Sequence, residues 1–74
     1  MFGWEFYDVE TQDKETKKLI KRESYITIDT AKNYIRNTIE MKCLDYNEKL
    51  VLIKRKYDND RELIEEKTLK EYEN

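Results

Sequence analysis

Seventeen carboxylates, one cysteine, one serine and no histidine make up the stock of acids, bases and nucleophiles in this 74-residue chain. Without histidine there is no imidazole to activate Ser24 or Cys43, no proton carrier near neutrality, and no zinc site of the usual histidine and cysteine kinds. Gly3, the sole glycine, cannot build a glycine-rich phosphate loop. Paired carboxylates serve acid–base chemistry only in a cleft that holds them apart and raises one pKa, and so short a chain offers little depth for one. Asp58, Asp60 and Glu62 share the spacing of the first three ligands of a calcium loop. Leu63, however, stands where that loop needs glycine, and Leu69 where it needs a bidentate glutamate. These residues predict a non-enzymatic protein with no metal and no small-molecule cofactor.

Binding chemistry remains. Trp4 and six tyrosines are residue types that anchor interfaces. Two basic clusters, Lys17, Lys18, Lys21 and Arg22 and then Lys54, Arg55 and Lys56, fall on expected strands or their flanks. Trp4, Tyr7, Tyr25 or Tyr57 would stand beside them to stack on bases. The net charge of −2 is too small to predict a nucleic-acid partner, but it hides a segregation. Residues 1–13 carry four acids and no base, 14–56 twelve bases and six acids, and 57–74 three bases and seven acids. Separated lobes of this kind steer an encounter even when the total is near zero, and the acidic ends repel phosphate.

The elements that must position these side chains follow from pattern. Trp4 to Val9 is aromatic and roughly alternating, a strand, followed by a polar hairpin loop over 10–16. The return strand is expected over about 18–28, with a bulge or an exposed stretch at Lys21-Arg22-Glu23-Ser24. Asp29 and Thr30 offer helix N-caps, and Ala31, Tyr34, Ile35, Thr38 and Ile39 recur at helical spacing, predicting a helix over about 30–43. Leu50-Val51-Leu52-Ile53 is apolar on both faces, as in a central strand covered on both sides. The tail from Arg61 reads as strand or helix; the turn-like Asp58-Asn59-Asp60 favours a strand that frays after Leu69. The fold expected is α+β, a small single domain over 1–74 of β-β-α-β-β order. One helix lies on one face of a mainly antiparallel sheet, and the last few residues fray.

A single helix leaves the other side of Leu50-Val51-Leu52-Ile53 open, with either Phe6 or Tyr7 and Val9 beside it. An open apolar face on a small protein marks a dimer or partner surface. The partner-binding residues expected are Trp4, Tyr7, Val9, Val51, Ile53 and Tyr57. The alternative is a nucleic-acid-binding regulator using Lys17, Lys18, Lys21, Arg22, Lys54, Arg55 and Lys56, and a further one is a structural homodimer. The lone cysteine, the absence of a basic and apolar leader, and the absence of an apolar run of about 20 residues predict a cytoplasmic protein with no membrane partner. Lysine, isoleucine, tyrosine and asparagine supply 29 residues and proline none, the signature of an AT-rich genome. Size and origin together fit a phage or mobile-element accessory, an inhibitor of the anti-restriction or anti-CRISPR sort that occupies a surface on its target.

Overall fold

The computed structural model describes residues 3–73; Met1 and Phe2, and Asn74 at the end expected to fray, lie outside them. The elements are β1 (Trp4–Asp13), β2 (Leu19–Tyr25), α1 (Ile28–Glu40), β3 (Glu48–Tyr57) and β4 (Leu63–Tyr72). All strands join one antiparallel sheet in the order β2-β1-β3-β4, so the expected α+β fold and element order hold. The tail is a strand, and it does not stop at Leu69: Tyr72 still pairs with Leu50. Among the described residues no helix is long and apolar enough to cross a membrane.

Strand alternation divides the sheet into two faces. On one, Val9, Leu50 and Leu52 pack with Ala31 and Ile35 of α1 and with Leu44 to form the core, flanked by Tyr7, Tyr25, Ile28, Tyr34, Ile39 and Tyr72. The helix lies mainly over β1 and β2 and meets β4 only at Tyr72, so β4 is exposed along nearly its whole length. The molecule is accordingly a slab of 42 × 26 × 16 Å. It exposes 5509 Å², about a tenth more than the roughly 4,900 Å² expected for a monomer of its mass.

The helix begins two residues earlier than the pattern predicts. Its cap is neither Asp29 nor Thr30 but Thr27, whose hydroxyl accepts the Thr30 amide. Ile28, expected at the end of β2, is instead the first helical residue, and Asp29 places its charge against the positive end of the helix. β2 therefore ends at Tyr25, and its register slip falls opposite Thr11 and Gln12, beside Ile20, just before the exposed Lys21–Ser24 stretch.

At its other end α1 closes early as well. Lys42 turns left-handed with φ 55°, the Lys42 amide reaches the Ile39 carbonyl and the Cys43 amide the Thr38 carbonyl. This is the paired closure that usually recruits glycine. Lys17 and Arg61, in the two hairpin turns, also have positive φ, so the chain makes its left-handed turns with long basic residues at a steric cost. Lys42→Gly is expected to stabilise the protein by about 0.5–1 kcal/mol, the strain relieved less the entropy added to the unfolded chain. Thermal unfolding checks it as a rise in Tm of about 2–8 °C; an unchanged or lower Tm contradicts it.

Candidate functional site

The face of the sheet opposite the helix is not the open apolar surface that the sequence pattern implies. Val51 and Ile53 do lie on it, yet they are only 3% and 6% exposed. They are covered by charged side chains of their own sheet. Asp8, Glu10, Lys49 and Arg55 are all buried here, Arg55 paired with Asp8 and Glu10 and Lys49 with Glu71.

Arg55 is the centre of this layer. Its Nη1 donates to Asp8 Oδ2 at 2.6 Å, Nη2 meets Glu10 Oε2 at 2.9 Å, and Nε donates to Glu66 Oε1 at 2.7 Å. Glu10 also accepts from Arg22 Nε at 2.9 Å and from Gln12 Nε2 at 3.0 Å. Nearer the far end of the sheet, Lys49 Nζ donates to Glu71 at 2.8 Å. Burial is the largest single influence on Arg55 and disfavours its charge, but the bonds to Asp8, Glu66 and Glu10 outweigh it and raise its pKa. Burial likewise pushes the Glu10 carboxyl up, and the bonds from Gln12, Arg55 and Arg22 together hold it below the usual carboxylate range. Asp8 Oδ1, buried, has no hydrogen-bond partner among the described residues, so Asp8 depends on Arg55 for its compensation.

One end of this face stays apolar. Trp4 and Tyr57 are direct cross-strand partners, Tyr57 pairs in turn with Leu63, and Phe6 stands two residues along β1 on the same side. Phe6 and Tyr57 meet edge to face with centroids 6.0 Å apart. Trp4, Phe6, Tyr57 and Arg61 line a concavity of about 350 Å³, and Trp4, Leu63 and Ile64 remain 52%, 49% and 59% exposed. Gly3 is required here: a side chain at this position would begin 1.7 Å from the Tyr57 carbonyl oxygen, forcing β1 off β3. The adjoining turn is closed by Asp58, whose Oδ1 accepts the amides of Asp60 and Glu62. That carboxylate braces its own turn.

Of the six expected partner-binding residues, Trp4, Val51, Ile53 and Tyr57 share the helix-free face, and only Trp4 and Tyr57 offer surface. Tyr7 and Val9 do not belong to it. Val9 is core beneath α1 and Tyr7 flanks that core, because β1 runs in the opposite phase, with Trp4 and Phe6 on the free side. Phe6, Arg61 and Leu63 take their places. Nothing in the sequence ties Arg61 and Leu63 to Trp4; only the turn that folds β4 back on Tyr57 brings them there.

The seven basic residues are not gathered. Lys17 and Lys18 sit in the β1–β2 turn; Lys21 and Lys54 face the helix side, near Tyr34 and Glu5; Arg22 and Arg55 face away and are spent on carboxylates. Lys56, exposed, alternates to the helix side opposite Glu5.

Two outcomes follow from the charged layer. Arg55→Met leaves Asp8, Glu10 and Glu66 facing one another and is expected to cost about 3–5 kcal/mol in urea unfolding. Adding Asp8→Asn recovers part of that loss, whereas equal costs for the single and double variants would show that Asp8 does not rely on Arg55. Because the Glu10 pKa is depressed in the fold, its stabilisation is complete above the ordinary glutamate value, near 4.3, and is lost as pH falls through the lower folded value. Tm should therefore fall with acid below about pH 4.3, and Glu10→Gln should lower Tm at neutral pH while flattening that acid limb. An acid limb of unchanged steepness contradicts this. No protein-family model, curated protein or solved structure matches this chain.

Proposed function

We propose that this protein is a non-enzymatic protein-binding module that acts by occupying a surface on a larger partner through the Trp4 end of its helix-free face. The observation that carries the reading is the apolar row Trp4–Tyr57–Leu63 across β1, β3 and β4, with Phe6 beneath it and Arg61 at its lip. Tryptophan, tyrosine and arginine are the residues in which interface energy concentrates. Here Trp4 and Tyr57 stand together on paired strands with Arg61 in the adjoining turn, while the rest of that face is sealed by ion pairs. The excess of exposed surface for the chain's mass points the same way. Small size and an AT-rich composition support a phage or mobile-element inhibitor that blocks a host enzyme.

The test is affinity capture from the native host with three forms: wild type, Trp4→Ala, and Tyr46→Ser. Tyr46 is 86% exposed, just before the Glu48 end of β3, away from the patch. One stoichiometric partner held by wild type and Tyr46→Ser, and weakened at least tenfold by Trp4→Ala with unchanged circular dichroism, is expected. Because Trp4 is the only tryptophan, its emission should also shift to shorter wavelength in the complex. A partner held equally by all three forms, or no stoichiometric partner at all, overturns the reading.

A further inference from the structure

We infer that the protein binds the backbone of a single-stranded nucleic acid in the groove that α1 leaves open over β3 and β4, on the side of the sheet away from the Trp4 patch. Strand register decides which charges stand there. Leu50 and Leu52 face α1, so Lys54 and Lys56 lie on that side as well. Their neighbours across the ladder share it: Lys67 opposite Lys54, Lys70 opposite Leu52 and Tyr72 opposite Leu50. From above, α1 presents Lys32 and Arg36, which with Ile35, Ile39 and Tyr72 line a concavity of about 460 Å³. Lys70 lies beside it, its Nζ 5.1 Å from the centre of the Tyr72 ring. The segment after Tyr57, acidic in sequence, is thus sorted by its strand. Glu66 and Glu71 go to the helix-free face, where Arg55 and Lys49 hold them, and Lys67 and Lys70 come to this one.

What sets these cations apart is that so little neutralises them. On the helix-free face both cations of β3 are bound to carboxylates. Among the described residues, by contrast, Lys32, Lys56 and Lys67 make no hydrogen bond or ion pair, Lys70 meets only the Tyr72 ring, and Arg36 has a neutral partner, Asn33. Lys54 has one long contact, 3.8 Å to Glu5, and stands directly across the ladder from Lys67. Like charges placed opposite one another destabilise a sheet, and an anion laid between them removes that cost. Glu40 in the lining, Glu5 and Glu65 flanking Lys56, and Asp29 a turn before Lys32 are the acids beside them, four against six cations. The chemistry favours phosphodiester over protein carboxylate. Five of the six cations are lysines, point charges on long stems that suit phosphate and are depleted from protein interfaces. Between the two walls the floor is apolar, made of Ile35, Ile39 and the partly buried Tyr72. An unpaired base can stack on such a floor, whereas the bases of a duplex are already stacked on one another.

The test is fluorescence anisotropy of a labelled oligothymidylate on the intact protein, set against a duplex of equal length and a polyglutamate peptide. The single strand is expected to bind most tightly, with log Kd rising against log salt at a slope of about 3–4, as five phosphate contacts give. Lys67→Gln with Lys70→Gln alters two exposed positions of the outermost strand. With unchanged circular dichroism, this double variant should bind on the order of tenfold more weakly at low salt, and its slope should fall by about 1–1.5. Lys17→Gln with Lys18→Gln removes the same charge from the β1–β2 turn and should bind as wild type does. Equal weakening by the two double variants would reveal a diffuse attraction with no groove behind it, and overturns the inference. Tighter binding of polyglutamate gives the groove to an acidic protein segment, and duplex bound as tightly as single strand removes the stacking floor. No saturable binding of the single strand at low salt removes the site. Each of these results also overturns the inference.

Discussion

The bond set around Arg55 is the constraint on which the rest depends. A sheet with one helix has one face that nothing covers, and this chain has too few apolar residues to build a second layer. It covers the face with ions. Arg22 comes from β2, Asp8 and Glu10 from β1, Arg55 from β3 and Glu66 from β4, so one cluster ties every strand of the sheet to its neighbour. A buried charge with three well-aligned acceptors is tolerated where an unpaired one would not be. Asp8, Glu10 and Arg55 at its centre are hidden from water, while Arg22 and Glu66 at its margins stay about half exposed.

Seen in this light, the charge segregation along the sequence has an internal meaning. The acidic first segment contains β1, the basic middle segment contains β3, and the acidic last segment contains β4. The fold sets β3 between the other two. Opposite charge across adjacent strands selects partners and register together, since slipping β3 by one residue would send Arg55 to the helix side and Leu52 to water. What looks like a set of external lobes is largely consumed in strand pairing.

Much of the fold was legible because its signals are local. The helical spacing from Ala31 to Ile39, the apolar run at 50–53 and the break at 58–60 each fix an element without reference to the others. The cap was misplaced because Thr27, Asp29 and Thr30 all carry competent oxygens, and only the geometry of the first turn chooses among them. The phase of β1 was not legible at all. Trp4-Glu5-Phe6-Tyr7-Asp8-Val9 has a bulky residue on both sides of the strand, so alternation admits either face, and the choice rests on which set meets α1. The ion cluster was hidden for a related reason: Asp8, Glu10, Arg55 and Glu66 lie far apart in sequence and look individually like solvated surface.

The β3–β4 hairpin has a mechanical polarity. β4 hydrogen-bonds to β3 alone; at one end Tyr72 packs at the edge of the core beside α1 and Glu73 pairs with Lys14, and at the other is the turn beside Trp4. Peeling from the Tyr72 end must free Tyr72 from the core edge and then pass the Lys49–Glu71 and the Arg55–Glu66 latch before it disturbs Leu63. The aromatic end is thereby isolated from the motions of the chain terminus, like a hinge pin set at the closed end of a clasp. A tag or fusion added after Asn74 would load the far end of the clasp and leave the Trp4 end in register.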